Sequence, residues 1–279
     1  MENQIYPCLW FDGNAKAAAD FYRSILIDST ITSRNPMVVI FNSSGQKFMF
    51  LNGGPEFTPN PSISFYVVCE DLNEIETAWN KLLEGGKVLM PLDNYDWSEK
   101  YGWVQDQFGI SWQLALGKIK DVGQKYTPTL MFTNQQAGRA EEAIKFYTSI
   151  FDNSSIEGIL KYTAEEKDVL GYVKHAQFKL GEQVFMAMDS SLAHQFNFNE
   201  AISMVVNCDT QKEIDFYWEK LGEDGEESQC GWLKDKFGVS WQIVPSILGE
   251  LMNDPDKAPK VMKAFMKMKK FEIEKLVRA

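Results

Sequence analysis

Apolar residues recur along this chain in two alternating rhythms. From Ile63 the stretch ISFYVVC is nearly continuous in β-favouring residues, and it then gives way to a helical register in which Ile75, Ala78, Trp79 and Leu82 fall at i, i+3, i+4 and i+7. The same change follows Ile202, where ISMVVNC leads into Ile214, Tyr217, Trp218 and Leu221. Aligned from Ile63 and Ile202, the two segments agree at nine of twenty positions. Upstream of each lies a shorter pair, PCLWF from Pro7 and PTLMF from Pro128, followed by Ala18, Phe21, Tyr22, Ile25 and by Ala143, Phe146, Tyr147, Ile150 at helical spacing. Strand-then-helix is predicted at all four places, with Trp79 and Trp218 as core anchors.

Further β-patterned runs fill the gaps: MVVIFN and QKFMFLN in the first half, KHAQFKL and QVFMAMD in the second, with NSSGQ and LGEQ as their turns. Each strand–helix unit therefore predicts about three more strands, a βαβββ plan used four times. The last strand of each half is entered through a third repeat, GWVQDQFGISWQLA from Gly102 and GWLKDKFGVSWQIV from Gly231, identical at eight of fourteen positions. The predicted organisation is residues 1–120, residues 121–245 and a helical tail, residues 246–279. In the tail, Asp254-Pro255 reads as an N-cap and first-turn proline ahead of an apolar stripe of Val261, Met262, Phe265 and Met266. Its methionines read as packing.

Composition narrows the function classes. A net charge of −11 argues against nucleic acid as a partner, because phosphate binding asks for a basic face. Residues 246–279 hold eight Lys/Arg against five Asp/Glu, +3, which leaves −14 for the rest and suggests a tail docked on its own acidic body. No apolar run reaches bilayer length and the N-terminus lacks a signal-peptide pattern, so a cytoplasmic protein without membrane partners is expected. Cys8, Cys69, Cys208 and Cys230 form no C-x-x-C pair and read as free thiols.

Tandem βαβββ modules, a Phe-Tyr in the first helix and a last strand entered through Asp-x-Phe-Gly-x-x-Trp-Gln resemble the vicinal oxygen chelate superfamily of glyoxalases and extradiol dioxygenases. Within it the chain looks like the PhnB-like group, labelled 3-demethylubiquinone-9 3-methyltransferase-like, over about residues 3–117 and 126–245 and in its tail. The resemblance implies an α+β fold in which tandem βαβββ modules form two glyoxalase-like cups, with a C-terminal helical extension. It also implies divalent-metal positions in the cups, and here those positions carry Pro7 and Pro128, Ser64 and Ser203, and Gln113 and Gln242. Proline has no donor, serine is not a customary ligand, and a lone amide oxygen does not hold a divalent ion. No cofactor is therefore expected, with Asp189 left as an outlying metal candidate.

Two histidines cannot build a three-histidine site. His175 is the candidate acid or base, aimed by strand alternation into the second cup; His194 reads as a loop residue. Gln113, Gln242, Trp10 and Met131 are the candidate ligand-binding residues, and alternation sets each glutamine on the sheet face opposite its neighbouring tryptophan. The methyl-transfer label finds no Gly-rich strand–turn–helix donor motif. Two functions follow: a metal-independent cup that binds a small molecule, or a lyase, isomerase or dioxygenase of the same superfamily. The two halves are expected to pack on each other, with homo-oligomers left open.

Overall fold

The alternating rhythms resolve into four βαβββ modules and a tail. A computed structural model describes residues 5–279. The first module is β1 (Ile5–Phe11), α1 (Ala15–Arg23), β2 (Ser29–Arg34), β3 (Val38–Ser43) and β4 (Gln46–Asn52); the second is β5 (Ile63–Cys69), α2 (Leu72–Leu83), β6 (Lys87–Tyr95), β7 (Ser98–Gln105) and β8 (Ser111–Leu116). A short α3 (Ile119–Val122) leads to β9 (Tyr126–Phe132), α4 (Ala140–Ile150), β10 (Ser155–Lys161), β11 (Val173–Leu180) and β12 (Gln183–Asp189). The fourth module is β13 (Ile202–Cys208), α5 (Gln211–Gly222), β14 (Glu226–Glu227), β15 (Trp232–Lys234) and β16 (Ser240–Pro245). The tail is α6 (Leu248–Asn253), α7 (Ala258–Phe265) and α8 (Ile273–Val277).

Two compact units are present, Pro7–Ile202 and residues 5–6 with Ser203–Ala279. The larger holds an eight-stranded sheet in the order β10-β11-β12-β9-β5-β8-β7-β6, together with the run β1-β4-β3-β2. The eight-stranded sheet is built from the second and third modules. Its central pairing joins β5 of the second module antiparallel to β9 of the third, with Ser64 opposite Thr129 and Tyr66 opposite Thr127. Residue 120 separates two sequence repeats, yet the sheet crosses it. The first module is tied to the same sheet by Gln46, whose amide exchanges two hydrogen bonds with the Tyr126 backbone (2.6 and 2.7 Å), and by Phe48, whose ring lies 5.7 Å from Phe65 and 5.9 Å from Tyr126.

The helical stripes pack as their spacing demands. Ile75, Trp79 and Leu82 of α2 are buried, as are Ile214, Trp218 and Leu221 of α5. Each helix starts on a side-chain cap: Asp71 accepts from the Glu74 N–H, and Thr210 forms a reciprocal capping box with Glu213. Lys125 is buried against Glu74, an ion pair that joins the start of β9 to α2.

In the smaller unit, the sheet order is β14-β15-β16-β13. Where the second module has a nine-residue outer strand β6, the fourth has only the two-residue β14. The tail supplies the missing edge. The Cys230 and Gly231 N–H groups donate to the Met268 and Lys269 carbonyls (2.8 and 2.7 Å), and the Gln211 amide bonds both Phe271 O and Ile273 N (3.0 and 2.9 Å). Phe271, Val261 and Leu276 are buried, while Lys270 meets Asp215 at 2.6 Å and Lys269 meets Glu227 at 3.7 Å. Exposed ion pairs contribute little, so the apolar anchors dominate. The helix start differs from the sequence expectation. Asp254 accepts from the Asp256 and Lys257 N–H groups in a turn after α6, and α7 begins later with Pro259 in its first turn; Met266 of the stripe is exposed.

Candidate functional site

The doubled motif is first of all a clip. In the first copy, Asp106 Oδ1 accepts the Phe108 and Ile110 N–H groups (2.8 and 3.0 Å), and Oδ2 accepts the Trp112 indole N–H (2.8 Å) and the Tyr22 hydroxyl (2.7 Å). Gly109 turns the chain at φ +85°, where a side chain is strained. Asp235 repeats this with Phe237 N, Val239 N and the Trp241 indole (2.8, 3.1 and 2.8 Å), and Gly238 has φ +87°. Spacing the aspartate six residues before the tryptophan therefore folds the turn and locks the buried indole. Gln113 and Gln242, one residue on, point to the opposite face.

On that opposite face the eight-stranded sheet carries a polar relay. Tyr101 donates to Gln113 Oε1 at 2.7 Å, and Gln113 Nε2 donates to Ser64 Oγ at 2.7 Å, which leaves the Ser64 proton free to donate onward. Cross-strand register brings Tyr66, Thr127, Thr129, Ser111 and Trp103 to the same face. Ser64, Ser111, Gln113, Thr127 and Thr129 are all buried. Two polar atoms in this buried layer, Trp103 Nε1 and Ser111 Oγ, have no hydrogen-bond partner. Burial pushes the Tyr101 phenol well above its ordinary value, with the neighbouring Tyr66 and Tyr95 adding to it, so Tyr101 stays a donor at all ordinary pH.

The smaller unit has a reduced version. Gln242 Nε2 donates to Ser203 Oγ at 2.9 Å, and Ser240 Oγ, paired in register with Ser203, is likewise without a partner. Aligning Trp103 with Trp232 puts Cys230 where the first half has Tyr101, and aligning Ser64 with Ser203 puts Val205 where it has Tyr66. The relay tyrosine, Tyr101, and its neighbour on the face, Tyr66, exist in one copy only. The signal for the relay in the sequence is where the two halves differ, not what they share.

The remaining candidates separate by strand face. Met131 is buried on the relay face, beside Met188 in the parallel register of β9 and β12. Trp10 lies on β1, and its indole donates to the Gly54 carbonyl at 2.7 Å and meets Phe57 at 5.0 Å, so it holds the β4–β5 loop. Pro128 is paired with Phe65 on the helix-covered face and Pro7 shares the strand face of Leu9 and Phe11, so the residues facing the relay are Thr127 and Thr129. His175, paired with Leu160, lies on the relay face of the sheet that carries Gln113. Although the side chain is exposed, surrounding protein desolvates the ring and holds its pKa below the ordinary value. An NMR titration of His175 is expected to give a midpoint below about 6.5; a midpoint above that value would show that the surrounding protein does not desolvate the ring.

The Asp189 carboxylate is engaged by backbone donors. It lies on the helix-covered face, where Oδ1 accepts the Gly138 and Ala140 N–H groups (2.8 and 3.1 Å) and Oδ2 accepts Val173 N–H (2.8 Å). It caps the start of α4, as Asn52 caps α1 by accepting Ala15 N–H at 2.9 Å. The pair Asn52/Asp189 at the ends of equivalent strands was the available sequence signal. His194 sits in a loop, its Nε2 2.8 Å from Ser190 Oγ. Burial pushes the Cys69 and Cys208 thiols up to about 12, which leaves them inert as nucleophiles.

The donor set does not fit the divalent metal that the resemblance implies. Among the described residues no three His, Cys, Asp or Glu side chains converge, and the Gln113 carbonyl is already occupied by Tyr101. The face offers neutral hydroxyl, indole and amide groups, which bind acceptors better than cations of high charge density.

Comparison with known proteins agrees with the modules. The family model described as 3-demethylubiquinone-9 3-methyltransferase matches residues 3–115 and 124–244. The PhnB protein of Bacillus cereus is 37% identical over 41% of this chain and 100% of its own, with a TM-score of 0.39. A Staphylococcus aureus protein is 33% identical over 42% of this chain and 99% of its own, with a TM-score of 0.20. Glyoxalase I of Zea mays covers 90% of this chain and 95% of its own at 13% identity and a TM-score of 0.58, a likeness of fold. No curated protein matches the chain.

Proposed function

Since the chain belongs to the family described as 3-demethylubiquinone-9 3-methyltransferase, with the glyoxalase-type fold, we propose that it binds a small molecule without a metal, on the relay face of the eight-stranded sheet. One observation carries the reading: Trp103 Nε1 and Ser111 Oγ are buried without partners beside the Tyr101–Gln113–Ser64 relay. An unpaired buried polar group costs about 1–3 kcal/mol, and a ligand bringing acceptors would recover that cost. All the free groups can donate, and Met131, Met186 and Met188 supply an adaptable apolar wall. The ligand class is thus a compact molecule with apolar surface and one or two acceptor atoms. Methyl transfer, named in the family description, is not part of the proposal, since no strand-to-helix turn among the described residues carries a Gly-rich donor motif.

The test is a thermal-shift panel of aromatic and carbonyl-bearing metabolites on the wild type, Gln113→Leu and Gln242→Leu. A ligand at 100 times its dissociation constant should stabilise the wild type by about 2.7 kcal/mol. Gln113→Leu is expected to abolish most of that shift and also to cost about 1–3 kcal/mol of intrinsic stability, because the buried Tyr101 hydroxyl loses its acceptor. Gln242→Leu should cost less, as no tyrosine depends on it. Equal ligand shifts in wild type and Gln113→Leu would refute the assignment.

A further inference from the structure

The β6–β7 hairpin carries an aromatic cluster that the relay does not consume. Trp97 at its tip is 64% exposed, and its ring stacks on Tyr95 with centroids 4.9 Å apart and 28° between the planes. Both rings meet Tyr101 at steep angles, Tyr95 at 5.9 Å and 88° and Trp97 at 6.3 Å and 67°. Tyr101 is the residue that donates to Gln113. A continuous aromatic path therefore runs from solvent to the buried amide. The hairpin presents it rigidly: the Tyr95 hydroxyl donates to the Pro91 carbonyl (2.9 Å), and Asn94 Nδ2 donates to the Glu99 carbonyl (3.2 Å).

The charges around this cluster are sorted by face. Asp93 pairs in register with Tyr101 and so shares its face, and Asp96 stands between Tyr95 and Trp97 in the tip. The hairpin's own cation beside them, Lys100, alternates to the other face and reaches Glu76 at 3.9 Å. What remains at the edge of the relay face is electron-rich rings and carboxylate. Such a combination attracts a weakly hydrated cation through ring quadrupoles and charge together, whereas a neutral aromatic ligand would gain nothing from Asp93.

Resting on the reading of this face as a small-molecule site, we propose that Tyr95, Trp97 and Tyr101 with Asp93 form a subsite for an organic ammonium group, the cationic end of a ligand whose acceptor end reaches Trp103 and Ser111. The probes are choline and 3,3-dimethylbutan-1-ol, which has the same shape without the charge, titrated calorimetrically into the full-length protein. Choline is expected to bind about tenfold more tightly than the alcohol. Trp97→Ala and Asp93→Asn, both at exposed positions, should each weaken choline on the order of fivefold with circular dichroism unchanged. Binding of the alcohol as tightly as choline, or choline affinity unaffected by Trp97→Ala, would overturn the proposal. If, in that event, a neutral ligand from the thermal-shift panel still depends on Gln113, only the ammonium subsite falls; if no probe binds and Gln113→Leu changes no ligand response, both readings fall.

Discussion

Asp106→Ala is expected to lower unfolding free energy by about 4 kcal/mol, the largest effect of any single polar substitution in the first half. Four donors lose their acceptor at once: two backbone N–H groups of the turn, the Trp112 indole and the Tyr22 hydroxyl. Asp106 and Trp112 are buried, so water does not replace the lost bonds freely. Asp106→Asn should fall between, since its one remaining carbonyl oxygen serves the turn or the side chains but not both. Urea unfolding of the three proteins decides the matter; a loss under about 1 kcal/mol for the alanine variant would show that the clip is not what maintains the motif.

Gly231→Ala should cost about 3 kcal/mol and free the tail. Gly231 has φ +81°, and a Cβ there would lie 2.5 Å from the Phe271 ring and 2.7 Å from the Ile243 carbonyl oxygen. The left-handed backbone costs about 1–2 kcal/mol for a non-glycine residue, and expelling the Phe271 ring forfeits much of its burial. Hydrogen exchange should then accelerate at the Cys230 and Gly231 amides and across residues 266–279, with new proteolytic cleavage in the tail. Unchanged protection there would mean that Phe271 is not the anchor of the segment. The equivalent residue, Gly102, is needed for another reason, because a Cβ would meet Trp79 at 2.6 Å and Leu92 at 2.9 Å. One repeated glycine thus answers to two different neighbours.

Local periodicity determined the elements of this protein. The spacing of Ile75, Ala78, Trp79 and Leu82, the strand runs and the Asp-x-Phe-Gly turn each depend on residues within one or two turns of chain, and each formed where its pattern lies. Alternation likewise set Gln113 opposite Trp112. Which strands share a sheet was a different kind of decision. Nothing local tells β5 to pair with β9 across the repeat boundary, since strand edges offer the same backbone donors and acceptors to any partner and the choice rests on how distant apolar faces close together. That choice put His175 and Gln113 on one sheet. The face of Pro128 also turned on register, where an error of one residue inverts the side. The relay needed tertiary structure as well, because Tyr101, Gln113 and Ser64 are separated by 12 and 49 residues and converge only across three strands. Asp189, an acidic residue ending a strand, was legible as polar but not as a cap, since its partners at Gly138 and Val173 arrive from elsewhere in the chain. Sequence spacing determines which way a side chain points; long-range packing decides what it meets.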